Sequence, residues 1–119
     1  MNNKVIFVIG VSGCGKSTIG NLLAQELNIS FFDGDDYHTE DNINKMSIGQ
    51  ALNDVDRQGW LENLNKLAKE ELTNNSCIIA CSALKQKYRD TLSHTIENQT
   101  KWIYLKGSLE QIFDRVQCR

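Results

Sequence analysis

An α/β fold, built on a parallel, doubly wound sheet flanked by helices, is what this sequence predicts. Two observations lead there. Apolar runs of strand length alternate, along the 119 residues, with stretches whose apolar residues recur at helical spacing. The first run, Lys4-Val-Ile-Phe-Val-Ile9, does not alternate with polar residues, so it reads as a strand buried on both faces. Strands joined through helices pair in parallel by right-handed crossovers. No internal repeat, linker or low-complexity stretch divides the chain, so residues 1–119 read as a single domain.

The helix after the first strand carries Ile19, Leu22, Leu23 and Leu27 and ends near Asn28. A second strand, Ile29-Ser-Phe-Phe32, runs directly into Asp33-Gly-Asp-Asp-Tyr-His38. A weak helical segment over residues 41–48 offers only Ile43 and Met46 as apolar contacts. Over residues 53–72, Trp60, Leu61, Leu64, Leu67, Ala68 and Leu72 mark a long amphipathic helix, capped by Asn53 or Asp54. Gly59 costs about 1 kcal/mol against alanine there, so its first turn is expected to be loose. Residues 76–81 are a third buried strand, followed by a helix with Leu84, Tyr88 and Leu92 on one stripe. Residues 101–105 are a fourth strand, and Ser108-Leu-Glu-Gln111 is a capping box opening a last helix with Leu109, Ile112, Phe113 and Val116. Trp60, Trp102 and Tyr104 read as core.

Composition excludes several classes. The net charge is −2 with no long run of either sign, which gives no reason to expect a nucleic-acid or membrane-surface partner. No apolar stretch reaches the length of a membrane span, and the N-terminus lacks a signal-peptide pattern. Of the four cysteines, Cys77 and Cys81 fall on one face of one strand. At strand rise they are about 13 Å apart, too far for a disulfide. With no C-x-x-C pair and no histidine cluster, a reducing cytoplasm is expected.

Between the first strand and its helix, Gly10, Val11, Ser12, Gly13, Cys14, Gly15, Lys16, Ser17 and Thr18 contain every fixed position of G-x-x-x-x-G-K-[ST], the phosphate-binding loop. The glycines let successive N–H groups face one anion, and the helix adds its positive end. Lys16 would reach the outer phosphates and the Ser17 hydroxyl would ligate Mg²⁺. A chance match or a structural glycine turn is the competing explanation, but the strand before and helix after supply the context the motif needs. The expected ligand is a nucleoside triphosphate on a P-loop NTPase-type sheet.

In open α/β sheets ligands bind beyond the carboxyl ends of the strands. The second strand ends in Asp33-Gly-Asp35, the third in Cys81-Ser82 with Lys85 close behind, and the fourth in Lys106-Gly107. Asp33 and Asp35 fit an Asx turn, and beside a phosphate loop they also fit the carboxylates that phosphoryl transfer needs. Asp36 reads as a solvated neighbour. Arg57 shares a helix face with Leu61, Leu64 and Ala68, in a first turn where a cation opposes the macrodipole. It is either waiting for an anion or paired locally with Asp54 or Asp56. Lys85, in the first turn of its helix, and Arg89 invite the same argument. Three cations and a carboxylate base favour a small hydroxy-acid acceptor. The third strand ends in Ser82 rather than the Asp of motor ATPases, and no N-K-x-D guanine signature is present, so a small-molecule kinase is favoured. His38 and His94 read as polar surface.

Assembled, these residues resemble the gluconokinases of the shikimate-kinase-like P-loop small-molecule kinases. The matching stretches are the phosphate loop, Asp33-Gly-Asp35 with His38, Asn42-Ile-Asn-Lys-Met46, Gly49 with Leu52-Asn-Asp54, Asp56-Arg57 with Trp60-Leu61, Cys81-Ser-Ala-Leu-Lys85 with Tyr88-Arg-Asp90, and Ile103-Tyr-Leu-Lys-Gly107. The resemblance implies transfer of the γ-phosphate of ATP to the 6-hydroxyl of D-gluconate, with Mg²⁺. It makes Asp35 the base and a substrate ligand, and makes Asp33, with Ser17, a metal holder. Arg57, Lys85 and Arg89 would hold the acid, and Arg115 would lie near the nucleotide. It also suggests a homodimer. Where family members usually carry proline this chain has Thr39, Ala51 and Gly59. The family continues past the position of Arg119 with a lid, a fifth strand and a closing helix, so the chain is expected to be incomplete at its C-terminus relative to it. Two other readings stay open: a non-catalytic relative that binds ATP or a partner, and a kinase of another small hydroxy acid.

Overall fold

The computed structural model describes residues 3–10, 15–82 and 85–105. Among them, four strands, β1 (Val5–Ile9), β2 (Ser30–Asp33), β3 (Cys77–Cys81) and β4 (Thr100–Tyr104), form one sheet in the order β2-β3-β1-β4. Every pairing is parallel. The helices are α1 (Lys16–Leu27), α2 (Glu40–Ser47), α3 (Asp54–Leu72) and α4 (Gln86–Leu92), with 3₁₀ turns at Gly34–Tyr37 and Glu97–Gln99. The expected α/β architecture is present. The last predicted helix, from Ser108, lies outside the described residues.

Local chemistry sets the helix ends. Gly15 stands before α1 at φ 85°, ψ 26°, a left-handed conformation that glycine adopts without a Cβ penalty. Asn28 closes α1 in the same region, its N–H returning to the carbonyls of Ala24 and Gln25. Asn53 caps α3 through a reciprocal pair with Asp56: Asp56 N–H donates to Asn53 Oδ1 at 2.8 Å, and Asn53 N–H donates to Asp56 Oδ2 at 3.0 Å. That settles the cap in favour of Asn53 and leaves the Asp54 side chain for other partners. Gly59 does not interrupt α3, and a Cβ there would stand 3.1 Å from Thr39 Cγ2, so α2's entry packs tightly against this turn.

Two cores sandwich the sheet. Val5, Phe7, Ile9, Cys77, Ile79 and Cys81 face α3 and α4, meeting Trp60, Leu61, Leu64, Ala68, Tyr88 and Leu92. On the opposite face Val8 and Ile78 meet Ile19 and Ala24 of α1. All of β3 is buried, as its unbroken apolar run requires. Burial lifts the Cys77 thiol to about 12, with Glu71's charge adding to it, so this free thiol stays protonated.

Several packing expectations are corrected. Trp102 and Tyr104 are not core: they are 37% and 49% exposed, because among the described residues β4 pairs with β1 alone at the end of the strand order. Trp102 keeps one ring face on Phe7, with centroids 5.0 Å apart. In α1 the buried face is Ile19, Gly20 and Ala24, while Leu22 and Leu27 are exposed. A Cβ on Gly20 would come within 2.3 Å of Phe31 Cε1, so the missing side chain is what lets helix and strand approach. Ile43 and Met46 of α2 face solvent, and the residue that α2 buries is Asn42, 2% exposed.

The register then creates the site. Ile9 stands opposite Cys81, and Asp33 opposite Ala80. The carboxyl ends of β1, β2 and β3 therefore meet along one margin of the sheet, where α1 begins.

Candidate active site

A cleft of about 250 Å³ opens at that margin, lined by Gly15, Lys16, Ser17, Thr18, Asp33, Asp35, Ala80 and Cys81. The structure thus gathers the end of the glycine-rich loop and both expected carboxylates around one space. Gly15, the N-cap of α1, offers its first turn no side-chain acceptor. Gly10 follows β1 directly and is buried. Val11, Ser12, Gly13, Cys14 and Arg115 lie outside the described residues.

Asp33 ties the cleft together. Its Oδ2 accepts from Ser17 Oγ at 2.9 Å, and its Oδ1 accepts from the Asp35 N–H at 3.0 Å. The Asx turn and the cleft reading therefore hold at once: one carboxylate oxygen shapes the turn while the other meets the loop hydroxyl. The turn is tightly seated. A Cβ on Gly34 would stand 2.4 Å from the Ala80 carbonyl oxygen, and Trp60 donates its indole N–H to the Gly34 carbonyl at 2.7 Å. Asp35 itself is exposed in the cleft.

Two of the three expected cations, Arg57 and Lys85, gather around Asp54, a residue that the sequence offers as a helix cap, as a local partner for Arg57 and as part of a family stretch. Lys85 Nζ reaches its Oδ1 at 3.1 Å, Lys87 and the Tyr88 hydroxyl donate to it closely, and Arg57 Nη1 lies 3.9 Å away. Arg57 also donates to the Tyr88 hydroxyl at 3.2 Å. The hydrogen bonds from Lys87, Tyr88 and Lys85 hold the Asp54 carboxyl well below the usual carboxylate range. The same carboxylate raises the Lys85 ammonium. Lys85 is the N-cap of α4 rather than a first-turn residue, a one-position correction that removes the dipole argument made for it. Arg89 has a buried Nε with no hydrogen-bond partner among the described residues.

His38 corrects another expectation, that of polar surface. Its ring stacks on Trp60 with centroids 4.4 Å apart and planes 17° from parallel. Its Nδ1 faces Asn42 Nδ2 at 3.3 Å, and that amide also donates to the Asp56 carbonyl at 2.9 Å. Burial lowers the His38 pKa, the Asp35 charge works against that, and the Arg57 charge assists it. The signal for this pair was the four-residue spacing of His38 and Asn42, which places both on the inner side of the α2 entry. His94 is exposed, as expected.

Among the described residues no three His, Cys, Asp or Glu side chains form a metal-binding group, and no helix is long and apolar enough to cross a membrane.

A shikimate kinase family model matches residues 12–119. The chain belongs to that family. Within it, the chain groups with the gluconokinases. The thermoresistant gluconokinase of Escherichia coli is 42% identical over 119 residues, covering 99% of this chain and 67% of its own. A probable gluconokinase of Dictyostelium discoideum is 43% identical over 121 residues, covering 97% of this chain and 60% of its own. The crystal structure of a gluconokinase from Sinorhizobium meliloti 1021 superposes with a TM-score of 0.77 at 37% identity, covering 98% of this chain and 65% of that one. The chain thus spans 60% to 67% of the length of these proteins.

Proposed function

We propose that this chain transfers the γ-phosphoryl group of ATP to the 6-hydroxyl of D-gluconate, giving 6-phospho-D-gluconate and ADP. The observation that carries the reading is the double role of Asp33, whose carboxylate joins Ser17 of the phosphate loop to the amide of Asp35. That arrangement sets a carboxylate beside the space where a terminal phosphate held by the loop would end. The gluconokinase relatives supply the acceptor.

In this reading the N–H groups at the start of α1, with Lys16, bind the outer phosphates. The sugar-acid hydroxyl oxygen attacks the γ-phosphorus in line, the bond to the β–γ bridging oxygen breaks, and the hydroxyl proton passes to Asp35. Arg57, Lys85 and Arg89 receive the carboxylate of the acid, and the Nε of Arg89, unpartnered among the described residues, supports that role. Ser17 Oγ and Asp33 would hold Mg²⁺, the latter through water. Two hard oxygen donors fit an ion that proteins bind with one or two carboxylates plus substrate phosphates. When bound, that ion neutralises charge on the β- and γ-phosphates. The buried Cys77, which forms no disulfide, suits a reducing compartment, and we place the reaction in the cytoplasm.

The test is ADP release from Mg-ATP with and without D-gluconate. Gluconate-dependent release, abolished by Asp35→Asn while ATP binding persists, is the expected result. Release indifferent to gluconate would remove the acceptor assignment, and full activity of the Asp35→Asn variant would remove Asp35 as the base.

A further inference from the structure

Asp54 accepts from Lys85, Lys87 and Tyr88 and pairs with Arg57, although it is not the residue that caps its helix. Asn53, not Asp54, caps α3. Within the cluster three cations, Arg57, Lys85 and Lys87, share the single Asp54 carboxylate. Its members are open to water, with side chains 36% exposed at Arg57, 56% at Lys85, 60% at Lys87 and 40% at Asp54. Ion pairs of that exposure are readily exchanged.

Two further features point to exchange. Arg57 keeps its Nη1 3.9 Å from Asp54 and bonds to Tyr88 instead, so its planar fork is far from filled by this partner. The Tyr88 ring lies beneath all three cations, at 5.9 Å from Arg57 Cζ, 5.5 Å from Lys85 Nζ and 6.0 Å from Lys87 Nζ. Its negative face holds the cations in place whether or not Asp54 is among them.

We infer that Asp54 is an internal counter-ion, and that the carboxylate of the incoming polyhydroxy acid displaces it from the Arg57, Lys85 and Tyr88 donors. Asp54 thereby competes with substrate and sets how weakly a carboxylate is held before the reaction. It also keeps the cations from collecting small anions when substrate is absent. The inference rests on the proposal that Arg57 and Lys85 bind the acid.

The experiment compares the wild-type chain with Asp54→Asn and Asp54→Ser, both polar and both suited to a helix's first turn. Calorimetric affinity is measured for D-gluconate and, separately, for acetate as a bare carboxylate, with melting temperature recorded in anion-poor buffer. Loss of the internal competitor is expected to tighten both ligands roughly two- to fivefold, the scale of one exposed ion pair. Asp54→Glu, which keeps a competing carboxylate, should not tighten them. Unchanged or weaker binding in both neutral variants, at wild-type melting temperature, would overturn the inference and make Asp54 an orienting residue. If one neutral variant fails to fold, the other decides. Tighter acetate binding with no gluconate binding by any protein would keep the counter-ion and remove the substrate assignment instead.

Discussion

Trp60 donates its indole N–H to the Gly34 carbonyl oxygen at 2.7 Å, inside the core. The two residues come from α3 and from the turn after β2, and the same indole ring also carries the stacked His38. One side chain therefore grips both ends of the 3₁₀ turn that presents Asp35. The grip has a sequence logic. Trp60 belongs to the apolar stripe of α3, so burial drives it inward, and its one polar atom must then find an acceptor.

Replacing Trp60 with phenylalanine keeps most of the apolar surface and deletes the donor. The Gly34 carbonyl is then buried without its partner, which costs about 1–3 kcal/mol, with a further loss from the smaller ring's void. Denaturant unfolding should show that loss. Turnover should fall while nucleotide affinity holds, because the turn carries Asp35 and not the phosphate loop. Loss of stability with turnover intact would show that Asp35 finds its place without the indole.

Two glycines with similar close contacts should respond differently to alanine. At Gly34 the new Cβ would meet the Ala80 carbonyl oxygen at 2.4 Å, backbone of a fully buried strand. At Gly20 it would meet the edge of the Phe31 ring at 2.3 Å, and Phe31 is only partly buried. A ring can turn where a central strand cannot move. Gly34→Ala is therefore expected to destabilise by about 1–3 kcal/mol and to impair catalysis through the displaced turn. Gly20→Ala should cost less and leave kcat unchanged. Equal melting temperatures for the two variants would contradict this ordering.

The same contrast explains what could be read from the chain beforehand. β1, β3 and α3 were legible because their apolar patterns are long and their burial follows directly from periodicity. Asp33 and Asp35 were legible because a strand end beside a phosphate loop restricts what carboxylates there can do. Leu22 and Leu27 misled because a helical stripe does not reveal that Gly20 brings the helix closest to the sheet. Trp102 and Tyr104 misled because their exposure depends on β4 standing at the end of the strand order, a non-local fact. The Asp54 cluster joins residues 31 to 34 positions apart, beyond any local pattern. Lys85 missed its helix by one position, within the usual uncertainty of helix ends.

Ser17 and Asp33 should separate metal use from nucleotide binding. Asp33→Asn keeps an oxygen able to accept the Asp35 amide but removes the negative charge, so the turn should persist while metal affinity falls. Ser17→Ala removes the hydroxyl and leaves the Asp33 carboxylate without that donor. Both variants are expected to need at least tenfold more Mg²⁺ for half-maximal rate, a weakening on the order of 1.4 kcal/mol. Activity titrations against Mg²⁺ at saturating ATP measure this directly. Half-saturation at the wild-type Mg²⁺ concentration would take both residues out of the metal site.

His38 gives a pH dependence whose sign can be worked out. Burial pushes its folded-state pKa below the ordinary 6.5, assisted by Arg57 and opposed by Asp35. Between the two values the unfolded chain binds more protons than the folded one, so stability rises with pH in that window. The contribution is complete above about 6.5 and is lost as pH falls through the lower, folded value. The geometry agrees: Asn42 donates its other amide hydrogen to Asp56, and facing His38 Nδ1 as a donor it needs that nitrogen unprotonated. Phenylalanine at this position can still stack on Trp60 but cannot titrate. His38→Phe should therefore flatten the fall in melting temperature expected of the wild-type chain between pH 7.5 and 5.5. Parallel curves for the two proteins would mean that other groups dominate acid destabilisation in this range.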